Sequence, residues 1–217
     1  SPAACAVAQV GLTDLGLTLK EHPTEADVQA GYDEIQRLLA GRPVDCLLDL
    51  PEAADPAMAM ATRMVIFTST AAYMTDVKLL AYHDTQMIVQ CLRHGNVDIS
   101  VLGYIFYGFM VANYLHHHQE GYRYCEVAKE LMERRGLTQH RGSLIYHGAL
   151  VAAWVRPLSD VIQRMHDSIA PLLESGNIVI AGLASRLIVL YRWMRGDTLD
   201  AVDDDAARCE AFLATLN

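Results

Sequence analysis

Residues 99–115 read ISVLGYIFYGFMVANYL, a run of 17 residues without a charged side chain. The run is shorter than the roughly 20 apolar residues that a bilayer-spanning helix needs, and it contains two glycines and Asn113. No Lys/Arg cluster of the stop-transfer kind flanks it. We therefore predict no membrane partner and interpret the run as an inner helix that neighbouring helices cover on several sides.

The segments around this run alternate between two kinds of helix. Residues 144–155 and 178–194 are also apolar nearly all round. Between them lie segments with a single apolar stripe at the spacing i, i+3, i+4 and i+7, namely 77–91, 124–131, 158–173 and 199–216. No segment shows sustained period-2 alternation. The pattern predicts an all-α fold of paired layers, with the all-round apolar helices inside.

A repeat of about 40 residues organises these helices. Gly95, Gly136 and Gly176 each follow a predicted helix, at spacings of 41 and 40 residues, and glycine readily adopts the left-handed conformation that ends a helix. The return turns repeat at intervals of 39 residues and lie near His118, Pro157 and Gly196. Helical hairpins of this length are longer than the roughly 34 residues of a tetratricopeptide repeat and close to a HEAT unit. We predict an α-α superhelix of such TPR/HEAT-like hairpins.

The N-terminal part is less regular. Thr24 before Glu25 is typical of a capped helix start, with Gly41 as the expected stop. Asp55-Pro56 predicts the start of a helix that runs to about Met74.

We interpret 1–217 as one helical-repeat domain. It has less regular helices in 1–75 and hairpin repeats in 76–217, the last of them truncated. No initiator Met is present, and the last residues follow directly on a helical pattern. We therefore expect a domain excised from a larger protein.

Composition excludes some classes of function. The formal net charge is -9, from 17 basic and 26 acidic residues, so no positive field attracts nucleic acid or anionic lipid. The five cysteines include no C-x-x-C pair, which disfavours a disulfide framework or a zinc knuckle. A reducing cytoplasm is the expected location.

The motifs of phosphoryl transfer are missing from the sequence. None of its three lysines stands in a G-x-x-x-x-G-K-[ST] phosphate loop. His140-Arg141-Gly142 lacks the Asp of a kinase catalytic loop. We predict no enzymatic activity in this chain and no cofactor.

The best candidate for a metal site is His116-His117-His118, near Glu120. Adjacent residues on a helix point about 100 degrees apart, so the three rings would share an ion only in an irregular turn. We predict no metal. A metal-dependent helical enzyme at these histidines is a remote alternative.

Candidate binding residues lie at helix ends and in an aromatic cluster. A purely structural role, in capping helices or packing between them, would also explain these residues. The polar run His83-Asp84-Thr85-Gln86 indicates either local specialisation or a wet helix face. The candidates are Tyr73, Arg93, His94, Asn96, Tyr104, Tyr107 and Tyr122.

Several short motifs carry a family resemblance. They are Asp49-Leu50-Pro51, Asp55-Pro56, Ala72-Tyr73-Met74-Thr75-Asp76, Cys91-Leu92-Arg93-His94-Gly95-Asn96 and Glu120-Gly121-Tyr122-Arg123. With them the chain resembles the helical repeat region of large bacterial signalling proteins. In that family a serine/threonine-kinase-like domain precedes a signal-transduction (STAND-type) ATPase, and many members continue to sensory modules and a sensor histidine kinase of two-component systems.

The resemblance implies a non-catalytic domain for protein–protein interaction and signal relay. Its expected partners are neighbouring domains of the same polypeptide, a separate protein or peptide, or an effector of unknown identity. A free-standing TPR-type scaffold or adaptor shares this fold without any kinase and is the alternative.

Overall fold

The computed structural model describes residues 2–73 and 76–215, with the side chains of 2–6, 70, 71 and 73 left aside. The helices are α1 (Pro2–Asp14), α2 (Glu25–Leu39), α3 (Pro56–Tyr73), α4 (Val77–His94), α5 (Ser100–Asn113), α6 (His118–Arg135), α7 (Arg141–Ala152), α8 (Leu158–Glu174), α9 (Ile178–Arg195) and α10 (Leu199–Thr215). Short 3-10 segments span Val44–Asp49 and Thr138–His140. No β-strand occurs in these described ranges, where Glu52 and Asn96 form an isolated bridge. The all-α prediction is confirmed.

The helix boundaries follow from local chemistry. The Thr24 side chain accepts from the Asp27 amide at 3.3 Å, while the Asp27 carboxylate accepts from the Thr24 amide at 2.9 Å, which closes a capping box. α2 ends one residue earlier than predicted, because Ala40 already adopts the left-handed conformation as the C-cap, and Gly41 follows it with φ 76°. Gly136 caps α6 in the left-handed region as predicted, with φ 67°.

The helices form two layers around one continuous core. α1, α3, α5, α7 and α9 follow one another in the first layer, each contacting the next but one along the chain. α2 and α4 pack together in the second layer, where α6, α8 and α10 each pack on their chain neighbours. Buried apolar side chains connect from Leu12 through to Tyr191.

Only part of the predicted inner layer is fully covered. α5 contacts α3, α4, α6 and α7, and Tyr104 and Tyr107 on it are fully buried. α9, which we expected to be equally enclosed, makes its main contacts with α7, α8 and α10 among the described helices. Val179 and Trp193 on its remaining face are therefore 76% and 61% exposed. Apolar character on all sides of a helix did not guarantee neighbours on all sides.

α5 and α6 cross at close range. A Cβ on Gly121 would fall inside van der Waals contact of the Gly108 carbonyl oxygen and of Ala112. The two backbones thus approach as only glycine permits.

Within the described part of the chain, none of the helices combines the length and hydropathy that crossing a bilayer requires.

Candidate functional site

Asn96 stands at a buried junction between sequence-distant segments. Its amide donates to the Pro51 carbonyl at 2.7 Å, and its carbonyl accepts from the Ala53 amide at 2.9 Å. Its side-chain Nδ2 donates to the Leu47 carbonyl at 2.9 Å, while its Oδ1 accepts from the Tyr104 hydroxyl. One side chain and its backbone thereby hold the segment before α3 against the turn between α4 and α5.

The neighbouring Gly95 is required by the same junction. Its φ is +100°, and a Cβ there would lie 2.5 Å from the Pro51 carbonyl oxygen. Asn96 does not itself start the next helix, because α5 begins at Ser100, after Ile99 in the N-cap position. The motif His94-Gly95-Asn96 therefore forms a tertiary contact and does not start a helix.

Ion pairs on the surface connect other segments of the chain near this junction. Arg93 Nη2 lies 2.7 Å from Glu34 on α2. Arg123 Nε donates to Asp45 Oδ2 at 3.0 Å, and Arg134 lies 3.2 Å from Asp49. Such exposed pairs contribute little stability each. They do show that residues 45–51, 93–96 and 121–123 form one structural unit.

The predicted binding residues divide by accessibility. Arg93 and His94 are exposed, whereas Asn96, Tyr104 and Tyr107 are buried. The Tyr107 ring packs edge-on against Tyr124, with centroids 4.7 Å apart. Tyr73 is the last residue of α3, and its side chain lies outside the described part of the structure. A binding role for these residues stays a prediction.

Tyr122 connects α6 to α8. Its hydroxyl accepts from Arg164 at 3.0 Å and from Arg156 at 3.4 Å. The two guanidinium carbons lie 5.9 Å and 5.2 Å from its ring centroid, within cation–π range. Although only 7% exposed, Tyr122 thus fixes a basic pair beside the space that separates the two helices.

That space is an open groove of about 730 Å³ between α6 and α8, with α7 as its floor. Leu144 and Ile145 supply apolar floor. Its charged lining residues are Glu126, Lys129, Glu133, Arg141, Arg164 and Asp167. Sequence reasoning missed this groove because its walls come from separate segments. The available signal was the 40-residue period, which places α6 and α8 side by side.

The charges in the groove are not all paired. Arg164 lies 3.8 Å from Glu126, and Lys129 lies 4.0 Å from Glu133. Arg141 is exposed and has no ion-pair partner among the described residues. The groove therefore offers one unpaired cation, Arg141, beside an apolar floor, and Asp167 is the carboxylate of the lining that forms no ion pair with a described residue.

The polar run on α4 lies inside the protein and not on a wet face. His83 and Asp84 are each 2% exposed and Thr85 is fully buried. His83 Nδ1 lies 3.2 Å from the Thr68 hydroxyl. Burial raises the pKa of Asp84 to about 8 and lowers the pKa of His83 to about 4. Both side chains are thus held near their uncharged forms.

The three consecutive histidines diverge. His116 has φ 61°, an uncommon conformation for a residue with a side chain. His117 Nδ1 lies 3.2 Å from the Tyr32 hydroxyl, and the His118 ring stacks on Trp154 at 4.7 Å. Over the residues that the structure describes, no group of three or more His, Cys, Asp or Glu side chains is placed to hold a metal ion.

A scan against models of protein families finds no match, and searches of curated proteins and of solved structures find none either.

Proposed function

We propose that this chain is a non-catalytic interaction domain that binds a peptide segment of a partner in the groove between α6 and α8. The single observation that carries the proposal is that groove, about 730 Å³ in volume, with an apolar floor and an unpaired arginine at its edge. Peptide sites of helical repeat proteins combine these features on extended surfaces.

The arrangement of helices favours a TPR/HEAT-like superhelix. Consecutive helices of the first layer, such as α5 and α7, pack on each other, whereas α6 and α8 are held apart by the groove. The period of about 40 residues in the sequence supports the same architecture.

The lining of the groove indicates the chemistry of the partner. Leu144 and Ile145 suit an apolar anchor side chain, and Arg141 suits an acidic side chain next to it. The partner segment we propose therefore carries a large apolar residue adjacent to Asp or Glu.

We further propose that the domain relays this binding to ATPase and kinase modules of a bacterial, cytoplasmic signalling protein. The support is the resemblance of its motifs together with their placement, because Asn96 hydrogen-bonds to Pro51 in the interior, while Arg123 pairs with Asp45 on the surface of the same segment. A free-standing scaffold or adaptor would use the same groove without the flanking modules.

A peptide library displayed on phage and selected on the folded chain tests the groove. We expect enrichment of segments with an apolar residue beside Asp or Glu. Ile145→Glu, in the groove floor, should abolish binding of the selected peptides. Val179→Glu, which introduces the same charge at an exposed apolar site on α9, should leave it intact. Peptides that bind equally to both variants, with circular dichroism showing both folded, would overturn the proposal.

A further inference from the structure

A second, smaller cavity opens beside the Asn96 junction. It has a volume of about 390 Å³ and lies between the segment before α3, α3 itself, the α4–α5 turn and the end of α6. This size falls at the small end of the roughly 300–1,000 Å³ of ligand pockets, so it suits a small molecule and not a polymer. Its charged and polar lining residues are Glu52, Arg63, Asn96, Asp98 and Arg135.

Arg135 is the most unusual residue of this cavity. Its side chain is only 21% exposed, yet its guanidinium makes no hydrogen bond to any described residue. The nearest carboxylate oxygen, on Glu52, is 3.9 Å away, and the Glu52 side chain is 85% exposed. A guanidinium presents five N–H donors in a planar fork that matches an oxyanion. A largely buried fork without an acceptor leaves a specific binding capacity unused.

The charge of Arg135 also reaches the protein interior. Burial raises the pKa of the Cys91 thiol to about 11, and the positive charge of Arg135 offsets part of that rise. Cys91 is fully buried on α4. Arg135 thus lines the cavity while its charge still acts on a buried thiol of α4.

Arg63 supplies a second cation from α3. Its Nε donates to Asp98 Oδ1 at 2.8 Å, which is the side-chain hydrogen bond that Arg63 forms among the described residues. The Arg63 side chain is 35% exposed and its partner Asp98 is 56% exposed. Both carboxylates of the cavity, on Glu52 and Asp98, thus stand on the solvent side, and Asp98 Oδ1 also accepts from the Ile99 amide at 3.0 Å.

We infer that this cavity binds a small molecule through an oxyanion group, a carboxylate or a phosphate, that Arg135 holds with its planar fork and Arg63 contacts from the opposite wall. Such a ligand would bridge α3 and α6 beside the Asn96 junction. The inference rests on the position of Arg135 and holds whether or not the α6–α8 groove binds a peptide.

The test is an NMR titration of the whole chain with sodium phosphate and, separately, with sodium succinate, each against sodium chloride at equal ionic strength. We expect saturable shifts of the Val97 and Asp98 amides and of the Arg135 Nε–H signal with at least one of the two oxyanions. The two arms identify which oxyanion the cavity prefers. Shifts that grow linearly to 20 mM with both, or that chloride reproduces, would overturn the inference.

Matched variants locate the binding. Arg135→Gln should weaken binding at least tenfold, because it removes the fork. Arg134→Gln removes the same charge from the adjacent, more exposed residue, which pairs with Glu130 and Asp49 outside the cavity, and should change affinity less than twofold. Equal losses in the two variants would reveal only a general effect of charge and would overturn the site. Arg135→Lys keeps the charge but removes the fork, so it should recover only part of the affinity, because an ammonium binds an oxyanion as a point charge.

Discussion

The Tyr104 hydroxyl donates a hydrogen bond to Oδ1 of Asn96, and both side chains are withdrawn from water. The contact joins the first half of α5 to the turn that precedes it. Through Asn96 it reaches the backbone of Leu47, almost 50 residues earlier in the chain.

Asn96→Ala should destabilise the protein strongly. The substitution leaves the Tyr104 hydroxyl and the Leu47 carbonyl buried without their partner, at roughly 1–3 kcal/mol for each unsatisfied group. We expect a loss of about 2–4 kcal/mol in the free energy of unfolding, measured by urea denaturation. His94→Ala, two residues away at an exposed site, should stay within about 0.5 kcal/mol. A small effect of Asn96→Ala would mean that the junction is not maintained in solution.

Alanine substitutions at Gly121 and Gly148 should change the stability of the protein by different amounts, because the two sites are packed differently. Gly121→Ala places a methyl group against the Gly108 carbonyl and should cost about 1–3 kcal/mol or more. Gly148→Ala on α7 meets its nearest atom at 3.7 Å, an ordinary contact, so it should be neutral or stabilise by up to about 1 kcal/mol. Thermal unfolding of the two variants side by side checks this. Equal melting temperatures would contradict the close crossing of α5 and α6.

Asp84 should make stability depend on pH above neutrality. Its folded-state pKa of about 8 exceeds the ordinary value of 3.8, so the folded state holds a proton that the unfolded state releases, and stability falls as pH rises between these values. His83 has the opposite sign, because its lowered pKa adds stability as pH rises from about 4 to 6.5. The two trends oppose each other below pH 6.5. Between 6.5 and 8 only the decline from Asp84 remains, at up to about 1.4 kcal/mol per pH unit.

Urea unfolding of Asp84→Asn at pH 6.5 and pH 8 isolates that decline. The neutral amide cannot titrate, so the variant should lose the fall in stability that the parent protein shows over this range. The same slope in both proteins would rule out a protonated Asp84 in the folded state.

Charge reversal at Arg141 should invert the peptide preference of the groove. Because Arg141 is the exposed cation without an ion-pair partner among the described groove residues, we expect Arg141→Glu to reject peptides with Asp or Glu beside the apolar anchor and to accept those with Lys or Arg. Fluorescence anisotropy with a matched pair of acidic and basic peptides measures the change. An unchanged preference would place the recognition elsewhere on the chain.

The purified chain should hydrolyse ATP no faster than a buffer control. The expectation follows from the lack of a phosphate loop in the sequence. Release of phosphate at the rate of a complete ATPase would contradict the proposed non-catalytic role.

The sequence predicted those features that depend on local pattern. Thr24 and the glycine after α6 mark true helix ends, and the uncharged run around Tyr104 lies on a helix with neighbours on several sides. Features that depend on tertiary contacts were not predicted from the sequence. Periodicity cannot tell that α9 lacks a neighbour on one face, nor that a polar run such as His83-Asp84 is buried, since both depend on which helices come together.

The cavity at Arg135 was missed for a related reason. Arg63 and Arg135 are 72 positions apart and belong to no recognisable motif. Only the folded chain shows that one of them lacks a hydrogen-bond acceptor. Asn96 was singled out from its motif, but its partners at Leu47 and Pro51 were not foreseeable from spacing.

The Asn96 junction bears on how the chain unfolds. Because it connects residues 47–53 to the turn after α4, the irregular N-terminal helices and the first hairpin cannot separate without breaking several buried hydrogen bonds at once. We therefore expect the N-terminal third to resist limited proteolysis and to melt together with α4 and α5. The position near residue 75, where the helices become more regular, is therefore not a boundary between independently folding units. A truncation placed there would remove the segments on which α4 packs and expose that surface of α4 to water.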